Sequence, residues 1–171
     1  MKGRFFLFSF LILFPASQAL AELRSVTVPD RGWQLSFDIP SGAGAQTVSA
    51  GERFSYMAQD LESGIVFSFH VEPWETGGNA ECRADYWGKA AMNPYIDKTT
   101  IRISDTERLS QVLYVFDAEI QGMSVKSVNA NFYFVYKGSC VDVHVSKHPF
   151  ADGDEQVLIQ IGDSLRWGES E

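Results

Sequence analysis

The residues best suited to chemistry fall in one run, Val141-Asp142-Val143-His144-Val145-Ser146-Lys147-His148, and the only other histidine of the chain is His70. Aspartate and histidine bind metals and move protons, so a metal centre is the first chemistry to test. On a helix His144 and His148 would be neighbours. The alternation of valine with polar residues says strand instead, and four residues at about 3.3 Å each then hold the two rings roughly 13 Å apart. One ion does not span that. Asp142 and His144, about 7 Å apart on one strand face, share an ion only if His70 or another carboxylate comes in from an adjacent strand. His70, Asp142 and His144 are therefore the metal candidates, set against the plainer reading of an ordinary polar strand face.

Other constellations are weaker. No G-x-S-x-G elbow is present, and Cys140 lies four strand residues from His144, again roughly 13 Å, so no nucleophile and base are assembled by spacing. Asp117 and Glu119 share a strand face, but 22 acidic residues make such pairs common, and a solvated face accounts for them. Ser41-Gly42-Ala43-Gly44-Ala45 is too short for a dinucleotide fingerprint and reads as a flexible loop. No cofactor is expected. Trp74, in a glycine-bearing loop, and Tyr95, after Pro94, sit at the ends of a helix and are the candidates for a recognition patch for protein or glycan.

The compartment bears on the cysteines. Lys2 and Arg4, the apolar run Phe5 to Phe14, Pro15 and then Ala19-Leu20-Ala21 follow the order of a secretory signal peptide cleaved between Ala21 and Glu22. A transmembrane span needs about 20 apolar residues, and this run breaks after roughly ten. The expected organisation is a signal peptide over 1–21 and a single globular domain over 22–171, in the periplasm or secreted, with no membrane span after cleavage. An oxidising compartment favours a Cys82–Cys140 disulfide over a free thiol. Losing Lys2 and Arg4 takes the net charge from −8 to −10, which argues against nucleic acid and anionic membranes as partners.

The elements that must position these residues follow from periodicity. Trp33, Leu35, Phe37 and Ile39 alternate as a half-buried strand, and 54–59 and 65–72 read as a hairpin around Leu61-Glu62-Ser63-Gly64. Asn79 is a good N-cap for a helix over 80–93, with Cys82, Tyr86 and Ala90 on its buried stripe beside Trp87 and Ala91. A three-strand meander follows. Its inward residues are Val112, Tyr114, Phe116, Ala118 and Ile120, then Val128, Ala130, Phe132, Phe134 and Tyr136, then Val141, Val143 and Val145. Asp152 with Glu155 suggests a capping box for a last helix bearing Val157, Leu158, Ile161 and Leu165. The class is α+β, a mainly antiparallel sheet flanked by two helices. Cys140 shares a strand face with Asp142 and His144, so a bridge to Cys82 puts the first helix on that face and the terminal helix on the valine face.

This order of elements, with Gly32-Trp33-Gln34-Leu35-Ser36-Phe37 near the start and Ile161-Gly162-Asp163-Ser164-Leu165-Arg166-Trp167 near the end, resembles the Mog1/PsbP-like group of α/β/α sandwich proteins. The resemblance implies a non-enzymatic scaffold that binds other proteins. The group has no shared catalytic motif, so it assigns no functional residue. The expectation is an exported, disulfide-stapled, non-catalytic domain binding an envelope protein or small ligand. The rivals are an envelope enzyme, with metal at Asp142 and His144 or a thiol at Cys140, and a small-ligand carrier with a pocket between sheet and helix.

Overall fold

The computed structural model describes residues 21–170. The expected signal peptide lies outside these residues except for Ala21, where the first strand begins. In chain order the elements are β1 (Ala21–Val28), β2 (Trp33–Pro40), β3 (Gly44–Ala50), β4 (Arg53–Asp60), β5 (Ile65–Pro73), α1 (Asn79–Ala90), β6 (Ile96–Asp105), β7 (Ser110–Ile120), β8 (Met123–Tyr136), β9 (Ser139–Lys147), α2 (Asp154–Ser164) and β10 (Arg166–Glu169). They form an antiparallel seven-stranded sheet in the order β3-β4-β5-β9-β8-β7-β6 and a small sheet in the order β1-β2-β10.

The seven-stranded sheet has an apolar face and a mixed one, as the parity of β9 requires. Val141, Val143 and Val145 join Phe132, Phe134, Phe67 and Phe69 in the main core. Two elements cover this face. Helix α2 lays Leu158 and Ile161 on it, and Gly162 lets the helix approach so closely that an added Cβ would lie 2.1 Å from the Phe132 ring. The small sheet covers the rest through Trp33, Leu35, Phe37 and Ile39, all but fully buried. Phe37 stacks on Phe67 at 4.0 Å and Trp167 on Phe134 at 3.9 Å. The valine face is thus shared by the terminal helix and a second sheet, where the sequence pointed to the helix alone.

On the opposite face α1 packs across β7, β8 and β9. Cys82 and Cys140 form a disulfide with their Cα atoms 5.8 Å apart. Around it a second core cluster gathers Trp87, Ile96, Val112 and Tyr133. Arg83 clamps Asp105 of β6 through two hydrogen bonds of 3.0 and 3.2 Å.

Several expectations need correction. Val112 and Tyr114 belong to the second cluster, whereas Leu113 joins the main core; β7 is packed on both faces. Ala90 is exposed, because α1 turns its buried side through Cys82 and Trp87. Asn79 does not cap α1, which begins after Gly78. Its Oδ1 instead accepts from the Val135 N–H at 2.9 Å and its Nδ2 donates to the Glu107 carbonyl, tying the helix start to the strands. Glu81 Oε2 receives the Gly78 N–H at 2.9 Å in its place. At α2 the cap residue is Gly153, and Glu155 pairs with Arg102 rather than closing a capping box. The supposed glycine loop at 41–45 ends in β3.

Candidate functional site

The face bearing α1 is where the chemistry-bearing residues meet. Register sets them in rows across four strands. One row runs Ser55, His70, Asp142 and Tyr133 on β4, β5, β9 and β8; the next runs Met57, Ser68, His144 and Asn131. The structure therefore brings His70, Asp142 and His144 onto one surface, as strand parity anticipated for the last two.

Their bonding explains what they can do. Asn131 Nδ2 donates to Asp142 Oδ1 at 2.8 Å, and His144 Nε2 donates to Asn129 Oδ1 at 3.1 Å. Burial pushes the Asp142 carboxyl up to about 6, against the Asn131 hydrogen bond. Burial, helped by the charge of His70, pulls His144 down to about 4. Near neutral pH Asp142 is thus an anion and His144 a neutral imidazole. None of the ion pairs among the described residues involves Asp142. Burial, with the Asp142 charge second, also raises Tyr114 to about 12 and Tyr133 further, so both phenols stay protonated. Tyr133 Oη and Asn131 Oδ1 are buried with no hydrogen-bond partner among the described residues.

Ser55, His70 and Asp142 occupy adjacent strands in the order of a catalytic triad, but the bonds run the wrong way. Ser55 Oγ meets His70 Nδ1 at 2.8 Å, the nitrogen that a triad turns toward its carboxylate, and His70 makes no ion pair with Asp142. No group of three or more His, Cys, Asp or Glu side chains that could hold a metal occurs among the described residues. Both cysteines of the chain are consumed by the bridge, which removes the nucleophile that a thiol reaction at Cys140 requires.

The aromatic candidates lie at opposite ends of α1, whose twelve residues span about 18 Å. Trp74 is half-buried against the second core cluster and its Nε1 donates to the Gly77 carbonyl at 3.3 Å. Tyr95 is 49% exposed and meets Phe116 edge-on at 5.8 Å.

Beyond α1 the same face is open over β3, β4 and β5. Val48 is 62% exposed and Met57 37%, with exposed His70 and half-buried Ser55, Val66 and Ser68 between them and Asp142. Spacing alone did not flag Ser55, Met57, Asn129 or Asn131. The asparagines carried a signal, since asparagine is depleted in strands and these two alternate with Ala130 and Phe132.

No family model matches the chain, and no curated protein does. Among solved structures it is similar to the cyanobacterial PsbP (CyanoP) of Synechocystis sp. PCC 6803, with a TM-score of 0.54 at 10% identity over 91% of this chain and 98% of that one. A Bacteroides thetaiotaomicron protein gives 0.49 at 6% identity, over 80% of this chain and 45% of its own length. The chain has a PsbP-like fold.

Proposed function

We propose that the chain is a non-catalytic binding domain working outside the cytoplasm after loss of its signal peptide, and that the open half of the α1-bearing sheet face receives a protein partner. One observation carries this reading: α1 covers β7 to β9 and leaves β3 to β5 as an accessible surface of exposed apolar and polar side chains beside an anion with no cationic partner among the described residues. Exposed apolar groups with a polar rim mark interaction surfaces, and Asp142 suits a basic or hydrogen-bond-donating side chain of the partner. The disulfide fits an oxidising compartment, no described helix is long and apolar enough to cross a membrane, and the PsbP-like fold is one the resemblance associates with binding rather than catalysis. Fold alone assigns no partner.

The reading is tested by quantitative co-purification from native cells of wild type, Met57→Asp on the open face and Asp85→Lys on the exposed side of α1. The expected result is a protein recovered with wild type and Asp85→Lys but depleted at least tenfold with Met57→Asp. Equal recovery with all three, or nothing above background, contradicts it.

A further inference from the structure

Of the strands that end a sheet, β1, β10 and β6 all carry charged side chains: Glu22 and Arg24, Arg166 and Glu169, and Asp97, Lys98, Arg102 and Asp105. β6 is further broken by a register shift between Asp97 and Arg102. Charges and bulges are how natural sheets guard their edges. β3, Gly-Ala-Gln-Thr-Val-Ser-Ala, has neither: it pairs with β4 without interruption, carries no charge, and every residue in it is exposed.

We infer that β3 is a pairing edge and that its occupant is β3 of a second copy. The two-residue turn Gly51-Glu52 closes on the pair Ala50 and Arg53, and such a turn makes its flanking pair a hydrogen-bonded one. Alternation then turns the amides of Ala45, Thr47 and Ser49 outward. A twofold axis at Thr47 sets Thr47 against Thr47 and Ala45 against Ser49 of the second copy, each pair exchanging both bonds.

Charge permits this occupant and sets its direction. The Gly44 end of the strand borders Asp60 and Glu62, with no basic residue in the groove they line. The Ala50 end borders a hollow in which Arg31 and Arg53 are matched by Asp30 and Glu52, and Arg53 also pairs with Glu72 at 3.2 Å. Arg31 is held by the Ser139 hydroxyl and the Glu52 carbonyl rather than a carboxylate. Antiparallel pairing, unlike a parallel arrangement that would set acid against acid, lays each copy's acidic end against the other's charge-balanced end, twice. At the centre it meets uncharged strand, which matters for a chain of net charge −8.

Sedimentation velocity on the disulfide-intact protein from about 1 µM to about 1 mM tests this. The expected result is a concentration-dependent dimer. Thr47→Lys and Thr47→Glu each place like charges on the axis and should each be monomeric, and their mixture should restore a dimer. If either variant fails to fold, hydrogen exchange on wild type decides: the amides of Ala45, Thr47 and Ser49 gain protection as concentration rises. A wild type monomeric throughout, variants that dimerise unmixed, or concentration-independent exchange at those amides overturns the inference. A β3 that pairs only with another protein leaves the wild type monomeric and overturns it too.

Discussion

Asp142 and His144 lie two residues apart on β9, and burial shifts them in opposite directions. Between about pH 4 and 6 the unfolded chain keeps an ionised carboxyl and a protonated imidazole. In the fold the carboxyl holds its proton up to about 6 and the imidazole stays neutral down to about 4. Each state binds one proton across that window, so the two pH slopes cancel. Single substitutions uncover them. With Asp142→Asn only His144 remains; the unfolded state binds more protons, and stability rises from pH 4 to 6.5. With His144→Gln only Asp142 remains; the fold binds more, and the stabilisation present below pH 4 is lost as pH rises through 6. Relative to wild type, urea melts should show slopes of opposite sign reaching about 3 kcal/mol. Parallel curves for both variants contradict this. Parity along β9 sufficed to put Cys140, Asp142 and His144 on one face. Their depth depends on Tyr133, Asn131 and α1, which lie outside the local pattern, so an ordinary polar face was all the spacing could suggest.

The junction of α2 with β8 is set by one missing side chain. Alanine is a better helix former than glycine by about 1 kcal/mol, so Gly162→Ala would stabilise an isolated helix. Here the added methyl enters the ring of Phe132, which is buried and cannot swing away, and overpacking costs about 1–3 kcal/mol. The clash wins: a lower melting temperature is expected, recovered in part by Phe132→Leu, and a gain in stability would contradict the packing. Across the sheet the bridge fixes α1. Its ends are 58 residues apart, for which chain entropy predicts about 4 kcal/mol of stabilisation. The Cys82→Ser, Cys140→Ser double variant should lose a stabilisation of that order in urea, and unfolded, unreduced protein should show no free thiol. The hairpin around 61–64, both helices and the three strands from β7 to β9 were legible because each has its own period and turn. β1, β3, β6 and β10 were not. β1, β3 and β6 each pair with the next strand in the chain but are edge strands with little buried alternation, whereas β10 has four residues and pairs with β2, far away in sequence.

At the scale of the molecule, two coverings of unequal extent define the functional surface. The valine face is closed by α2 and the small sheet together, and the opposite face only by α1 over β7 to β9. The order of elements and the motifs around Trp33 and Trp167 pointed to the sandwich, and the likeness to the cyanobacterial PsbP structure agrees at the level of fold. The small sheet was invisible to that reading because two of its three strands are β1 and β10. The central claim is that the open half-face binds a protein partner. Placing a photo-cross-linking amino acid at His70, two strands in from the β3 edge, tests it most directly in cells that make the protein, with Asp85 on α1 as the control position. The account predicts a discrete adduct heavier than the chain by a partner of different mass from position 70, weakened by Asp142→Asn and absent from position 85. No adduct at position 70, or equal adducts from both positions, would contradict it.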